Sequence, residues 1–142
     1  MADLMSKYQR FITKIIVTIL VGSAVYGQNV ETFKARLSTS PIPLQMKATG
    51  SGLVTAQLNG KTLTISGTFE GLRASASAAR IHRGPKTGVR GPAIFDLTVT
   101  NSMSGTVSGS IELSAAQIDD LKNGRLYIQI EPEGNIWGWL LP

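Results

Sequence analysis

The apolar residues of this chain fall on alternate positions in one segment after another. Side chains of a strand point to opposite faces with period two, so each segment predicts a strand with one inward face. In VETFKARLS (30–38) the inward set is Phe33, Ala35 and Leu37. In GLVTAQLNGKTLTISGTFEGL the first arm turns Val54, Ala56 and Leu58 inward and the second Leu63, Ile65, Gly67 and Phe69, leaving Thr62, Thr64, Ser66 and Thr68 outside. Asn59-Gly60 between the arms predicts a tight hairpin with both residues at positive φ. AARIHRG turns Ala79 and Ile81 in, with Arg80 and His82 on the other side. PAIFDLTVT carries Phe95, Leu97 and Val99 inward, and MSGTVSGSIEL carries Val107, Ile111 and Leu113. The last pair, RLYIQIE and NIWGWLL, is joined by PEGN and buries Leu126, Ile128 and Ile130 against Ile136, Gly138 and Leu140.

One short helix interrupts the strands, over about 115–122. Ser114 is its N-cap, with Gln117 three residues on as in a capping box. Ile118 and Leu121 supply its packing face and Gly124 its stop. The fold class is therefore all-β: a single Ig-like or Greek-key sandwich or barrel of about seven or eight antiparallel strands with one short helix. Asp119-Asp120 on that helix reads as a solvating pair.

The N-terminus has a different pattern. MADLMSKYQRFITK holds Lys7, Arg10 and Lys14, then an apolar run of small residues follows, then polar QNVET. Basic, apolar, small is the order of a secretory signal. Residues 1–27 are expected to be a signal peptide, cut after Gly27 or else after Ala24, and 28–142 the β domain. The run from Phe11 to Tyr26 is about 16 residues, short of the roughly 20 that span a bilayer, so a retained N-terminal anchor is the lesser alternative. Removing Lys7, Arg10, Lys14 and Asp3 lowers the formal charge from +5 to +3, which leaves no dense basic face for nucleic acid.

Composition removes several chemistries. There is no cysteine, so disulfides, thiol catalysis and thiolate metal sites are out. One histidine and scattered acids give no set for general acid–base catalysis, and no nucleophile elbow or P-loop is present. The reading is a non-enzyme without a cofactor. Three features remain as candidates. AARIHRGPKTGVRGP (78–92) holds the single His82, a weak metal candidate, and a Gly/Pro turn with Arg83, Lys86 and Arg90. Those cations and the turn's N–H groups could hold a sulfate, phosphate or acidic sugar, or could simply be solvated. The two tryptophans, Trp137 and Trp139, point outward by parity, and Tyr127 matches them on the partner strand. Such a cluster is an apolar patch for contact with another chain or a glycan, unless another part of the fold covers it.

Taken in order, these residues resemble the chordin-type (CHRD) domain from about Val30 to Leu141. The family's F-x-A-x-L strand is matched by Phe33, Ala35 and Leu37 before SPIP, its glycine-bearing strand by LTISGTFEGL, and its A-H-I-H-x-G-P segment by ARIHRGP. Its closing strands are matched by LKNGRLYIQIE and GNIWGWLL. Two of the family's three histidines are replaced, by Arg80 and Glu131, so only His82 remains of a set that suits a transition metal. Arg80 and Glu131 share parity, and if their strands are neighbours an Arg80–Glu131 ion pair replaces the histidine pair. The family has polar residues where Trp137 and Trp139 stand.

The resemblance and the missing catalytic set imply an exported structural, adhesive or self-assembling subunit, outside the cell, at its surface or in the periplasm. Its expected partner is itself or another surface protein, with the membrane reached only through an uncleaved N-terminus. The first strand could add to another subunit's open edge, although a strand closing its own fold has the same sequence. The alternative is a glycan- or anion-binding module that uses the Trp137/Trp139 face and the basic loop, with polysaccharide as partner. A metal-binding protein through His82 is third.

Overall fold

The computed structural model describes residues 29–39, 49–131 and 136–142. The expected signal segment, 1–27, and the PEGN connection, 132–135, lie outside the described residues. The chain runs β1 (Val30–Thr39), β2 (Ser51–Asn59), β3 (Thr62–Glu70), β4 (Ala78–Arg83), β5 (Ala93–Val99), β6 (Gly105–Glu112), α1 (Ala115–Lys122), β7 (Leu126–Glu131) and β8 (Ile136–Trp139). Every strand pairing is antiparallel, and the order β1-β2-β3-β6-β5-β4-β7-β8 closes on itself, so of sandwich and barrel the fold is a closed barrel.

Closure gives the period-two pattern one interior to fill. An eight-stranded barrel has an interior just wide enough for its inward side chains to fill. Phe33, Ala35, Leu37, Val54, Ala56, Leu58, Leu63, Ile65, Phe69, Ala79, Ile81, Val107, Leu126, Ile128, Ile130, Ile136 and Leu140 make that interior, all buried. β5 is the looser stave. It meets β6 only at Thr98↔Ser108 and Val99↔Val107, its register against β4 shifts between Ile81 and His82, and Phe95, Leu97 and Val99 are half-buried.

Two sequence expectations change here. The β2–β3 turn is Gly60-Lys61 between paired Asn59 and Thr62; Gly60 has φ +63 and no non-glycine residue among the described residues has positive φ. Asn59 therefore stays in its strand, and glycine at the first loop position is the type II′ pattern. Nor is β1 a free edge. It pairs with β2 from Val30 to Leu37, with β8 at Ser38 and Thr39, and with Leu141 at Lys34, where the N–H and carbonyl are both engaged. The N-terminal strand closes its own barrel, which removes the expected strand addition.

α1 sits at the barrel end where β1 begins and β4 ends. Ser114 Oγ accepts the Gln117 N–H at 3.2 Å and Gln117 Oε1 accepts the Ser114 N–H at 2.9 Å, a reciprocal cap worth about 1 kcal/mol. Leu121 is buried and Ile118 packs against the core. Lys122 Nζ reaches Glu31 Oε1 of β1 at 3.4 Å, and Gly124 at φ +68 ends the helix before β7. The opposite end is closed by residues 71–77, whose Leu72 and Ala76 are buried and bonded to the carbonyls of Met103 and Ser102.

Candidate functional site

Most of the barrel's outer wall carries short polar side chains, as on β3 with Thr62, Thr64, Ser66 and Thr68. The wall of β1, β8, β7 and β4 differs. The register sets two rows of outward residues across it. In one row Ser38 faces Trp137, Trp137 faces Gln129, Gln129 faces Arg80 and Arg80 faces Asp96. In the other, Trp139 faces Tyr127 and Tyr127 faces His82. Arg36 joins this second row, because Ser38↔Trp137 and Lys34↔Leu141 set it level with Trp139.

The rings meet. His82 stacks on Tyr127 with centroids 4.9 Å apart and planes 18° from parallel. Tyr127 meets Trp137 at 5.5 Å and Trp139 at 4.7 Å, and the two indoles meet edge-to-face at 6.0 Å. Edge-to-face and offset contacts suit the ring quadrupoles. Trp137 and Trp139 are half-buried, whereas Tyr127, at 1% exposure, is covered and is not itself a contact surface.

The cover is the basic loop, 84–92, which the sequence reading left as a separate feature. Its neck is closed by the Arg83 N–H on the Pro92 carbonyl at 2.9 Å and the Gly84 N–H on the Arg125 carbonyl at 2.8 Å. Thr87 Oγ1 donates to the Gly124 carbonyl at 2.7 Å, tying the tip to the end of α1. The Gly91 carbonyl accepts from Tyr127 Oη at 2.9 Å, and His82 Nδ1 lies 3.0 Å from the same oxygen. The Gly91 N–H returns to Tyr127 Oη at 3.1 Å. Such closeness requires glycine: a Cβ at Gly91 would run into the Arg83 carbonyl. The opening motif is thus a strand end followed by a latched loop, and His82 belongs to the latch. Its Nε2 is buried without a hydrogen-bond partner, and among the described residues no group of three His, Cys, Asp or Glu side chains could hold a metal ion.

Arg83, Lys86 and Arg90 are not brought together as one anion site. Arg83 leaves the loop and binds Asp120 of α1, Nε to Oδ2 at 2.5 Å and Nη2 to Oδ1 at 3.2 Å, with Arg125 Nη1 on Oδ1 at 3.4 Å. Asp120 is only 5% exposed, so it anchors α1 and does not solvate it. The hydrogen bonds from Arg83 hold its carboxyl below the usual aspartate value against the opposing effect of burial, and Arg125 adds to the shift. Arg90 lays its guanidinium carbon 4.4 Å from the centre of the Trp137 ring, a cation–π contact. Lys86 is exposed at the loop tip.

Arg80 Nη1 lies 3.1 Å from Glu131 Oε1, and Arg80 Nε lies 2.9 Å from Asp96 Oδ1. Both carboxylates favour the charged guanidinium, the Asp96 bond most and the Glu131 charge next, and its pKa is raised. The Asp96 partner was missed by parity reasoning, although Asp96 is the outward acid of its strand; what was lacking was the β4–β5 pairing. Arg36 was missed for the same kind of reason, since only barrel closure brings β1 beside β8. A cleft of about 590 Å³ opens at the Arg36 end of the wall, lined by Arg36, Ser38, Leu53, Phe69 and Glu70 among others, and is separate from the ring cluster. What the described residues of the wall offer chemically is ring faces and edges and guanidinium donors.

Compared with known proteins, the chain matches the family model described as the CHRD domain over residues 33–138. No curated protein and no solved structure matches it. Among the described residues no helix is long and apolar enough to cross a membrane.

Proposed function

The chain belongs to the CHRD domain family, and from that premise we propose that it is an exported, non-enzymatic binding domain with a structural or adhesive role outside the cell or at its surface. CHRD domains are typically extracellular or periplasmic, which supports the export. The observation that carries the adhesive role is the ring cluster of His82, Tyr127, Trp137 and Trp139 on the outside of a closed barrel. A solvent wall needs no indoles, and two half-buried ones give a rigid contact surface at little entropic cost. β1 is paired on both sides, so this reading assigns self-association to the wall and not to strand addition.

The test uses the full chain expressed from Met1, beside a Trp137→Ser/Trp139→Ser double variant. Light scattering reports size, and retention on immobilised polysaccharides and on the immobilised chain itself reports adhesion. Association or retention that the double variant loses is the expected result. A monomer retained on nothing, indistinguishable from the variant, overturns the reading.

A further inference from the structure

The charges of the aromatic wall are unbalanced in one direction. Among the described residues Glu131 of β7 and Asp96 of the adjoining β5 are both engaged by Arg80, and Glu31 of β1 by Lys122. The acid of α1, Asp120, is engaged by Arg83 and Arg125. Exposed Lys34 and Arg36 of β1 take part in no ion pair among the described residues. Arg90 is oriented by an indole and not by a carboxylate, so its N–H donors are left for another acceptor. Lys86 adds a further cation at the loop tip. Glu70 is the acid closest in register; it faces Ser51 on β2, two strands from Arg36 and in the other row.

We infer that this wall binds an acidic polysaccharide, carboxylated or sulfated, with Trp139 and Trp137 as the stacking surface and, as the anion-holding groups, Arg36 level with Trp139 and Arg90 over Trp137. The inference rests on the adhesive reading above and names its partner. Charge complementarity selects an anionic occupant. An extended chain of rings laid from Arg36 across Trp139 to Trp137 meets a cation and then two indoles, the second of which carries the Arg90 guanidinium. A planar guanidinium pairs with carboxylate or sulfate through parallel N–H bonds, and the indole takes the apolar C–H face of a sugar. A second protein of matching charge would need a far larger area than two indoles and three or four cations provide.

The test is affinity electrophoresis and calorimetry of the full chain expressed from Met1, with polygalacturonate, dextran sulfate, neutral dextran and vesicles of anionic phospholipid as probes. Binding to either acidic polysaccharide is expected, weakened by about tenfold or more in Arg36→Gln and in Arg90→Gln and abolished by high salt. Trp139→Leu, which leaves the charge alone, is expected to weaken it as well, and Lys61→Gln, on the β2–β3 turn, to leave it unchanged. Circular dichroism of each variant separates lost binding from lost fold. Equal binding of neutral dextran overturns the acidic partner but keeps adhesion. Binding of the vesicles alone overturns the polysaccharide in favour of a lipid surface. Association of the chain with itself through Trp139, with no glycan bound, overturns this inference and leaves the adhesive reading standing. A monomer that binds none of the probes removes both.

Discussion

His82 and Tyr127 converge on one acceptor, the carbonyl oxygen of Gly91, at 3.0 and 2.9 Å while their rings stack. The Tyr127 hydroxyl also accepts the Gly91 N–H, so one residue is held through both of its backbone groups. This clamp fixes the loop that carries Arg90, and through Arg90 the orientation of the Trp137 surface. Tyr127→Phe keeps the ring and deletes both bonds. The Gly91 peptide then loses its partner in a partly buried place, at a cost of about 1–2 kcal/mol. Hydrogen exchange should show the effect first in the Gly91 amide and its neighbours, with the barrel amides unchanged. Uniform acceleration across β4 and β7 would instead mean that the tyrosine acts through the whole wall.

Asp120 makes stability depend on acid. Its folded carboxyl is held below its ordinary value, 3.8, chiefly by the Arg83 hydrogen bonds. A depressed carboxylate contributes stability that is fully present above the ordinary value and is lost as pH falls through the lower folded one, because the unfolded chain binds the proton first. Urea midpoints taken from neutral pH downwards should therefore fall more steeply in wild type than in Asp120→Asn, over the range beginning near pH 4 and going down. At neutral pH, Asp120→Ala should cost about 1–3 kcal/mol, since it strands two arginines that are still partly hydrated. Parallel acid profiles for wild type and the asparagine variant would show that the pair is energetically silent.

The two ion pairs of Arg80 should not be equal. The Asp96 side chain is 87% exposed and that of Glu131 only 35%. Water screens the first pair more, even though its bond is the shorter. Double-mutant cycles should give no measurable coupling for Arg80–Asp96 and a measurable favourable one for Arg80–Glu131, the latter falling with added salt. Equal couplings would mean that geometry outweighs exposure here.

Local regularities were readable in the sequence, and of the distant contacts of the wall only Arg80–Glu131 was, through shared parity and the family resemblance. The inward residues of every strand followed from alternation, and the Ser114–Gln117 cap from a three-residue spacing. Parity also put Trp137, Trp139, Tyr127 and His82 on one side of their strands. What parity cannot supply is which strands are neighbours. The Arg83–Asp120 pair spans 37 positions, and Asp120 sits among helix residues whose local pattern suits a solvated acid equally well. Arg36 meets the tryptophans only because the barrel closes between β1 and β8, and closure depends on the summed geometry of eight strands. The loop over Tyr127 was hidden for a simpler reason. A Gly/Pro turn with three cations reads as solvated, and only the packing of its Gly91 against the Arg83 carbonyl shows that it lies flat on the wall.

That packing gives the last prediction. Gly88 and Gly91 lie in the same loop, but they are glycines for different reasons. Gly88 has φ +88 and open space around its missing Cβ, so Gly88→Ala costs only the backbone strain of a left-handed residue, about 1–2 kcal/mol. A Cβ at Gly91 meets the backbone of Arg83 and comes within 3.2 Å of the Gly84 Cα, and backbone on both sides cannot rotate away. The neck must open, and the clamp by Tyr127 and His82 opens with it. Gly91→Ala should therefore cost about 3 kcal/mol, at the upper end for overpacking, and should raise acrylamide quenching of Trp137 and Trp139 fluorescence, while Gly88→Ala leaves quenching near wild type. If both variants raise quenching alike, the loop is held by its tip at Thr87 and Gly124. If neither does, the tryptophans are ordered by their own edge-to-face contact, and the wall would keep its binding geometry with the loop released.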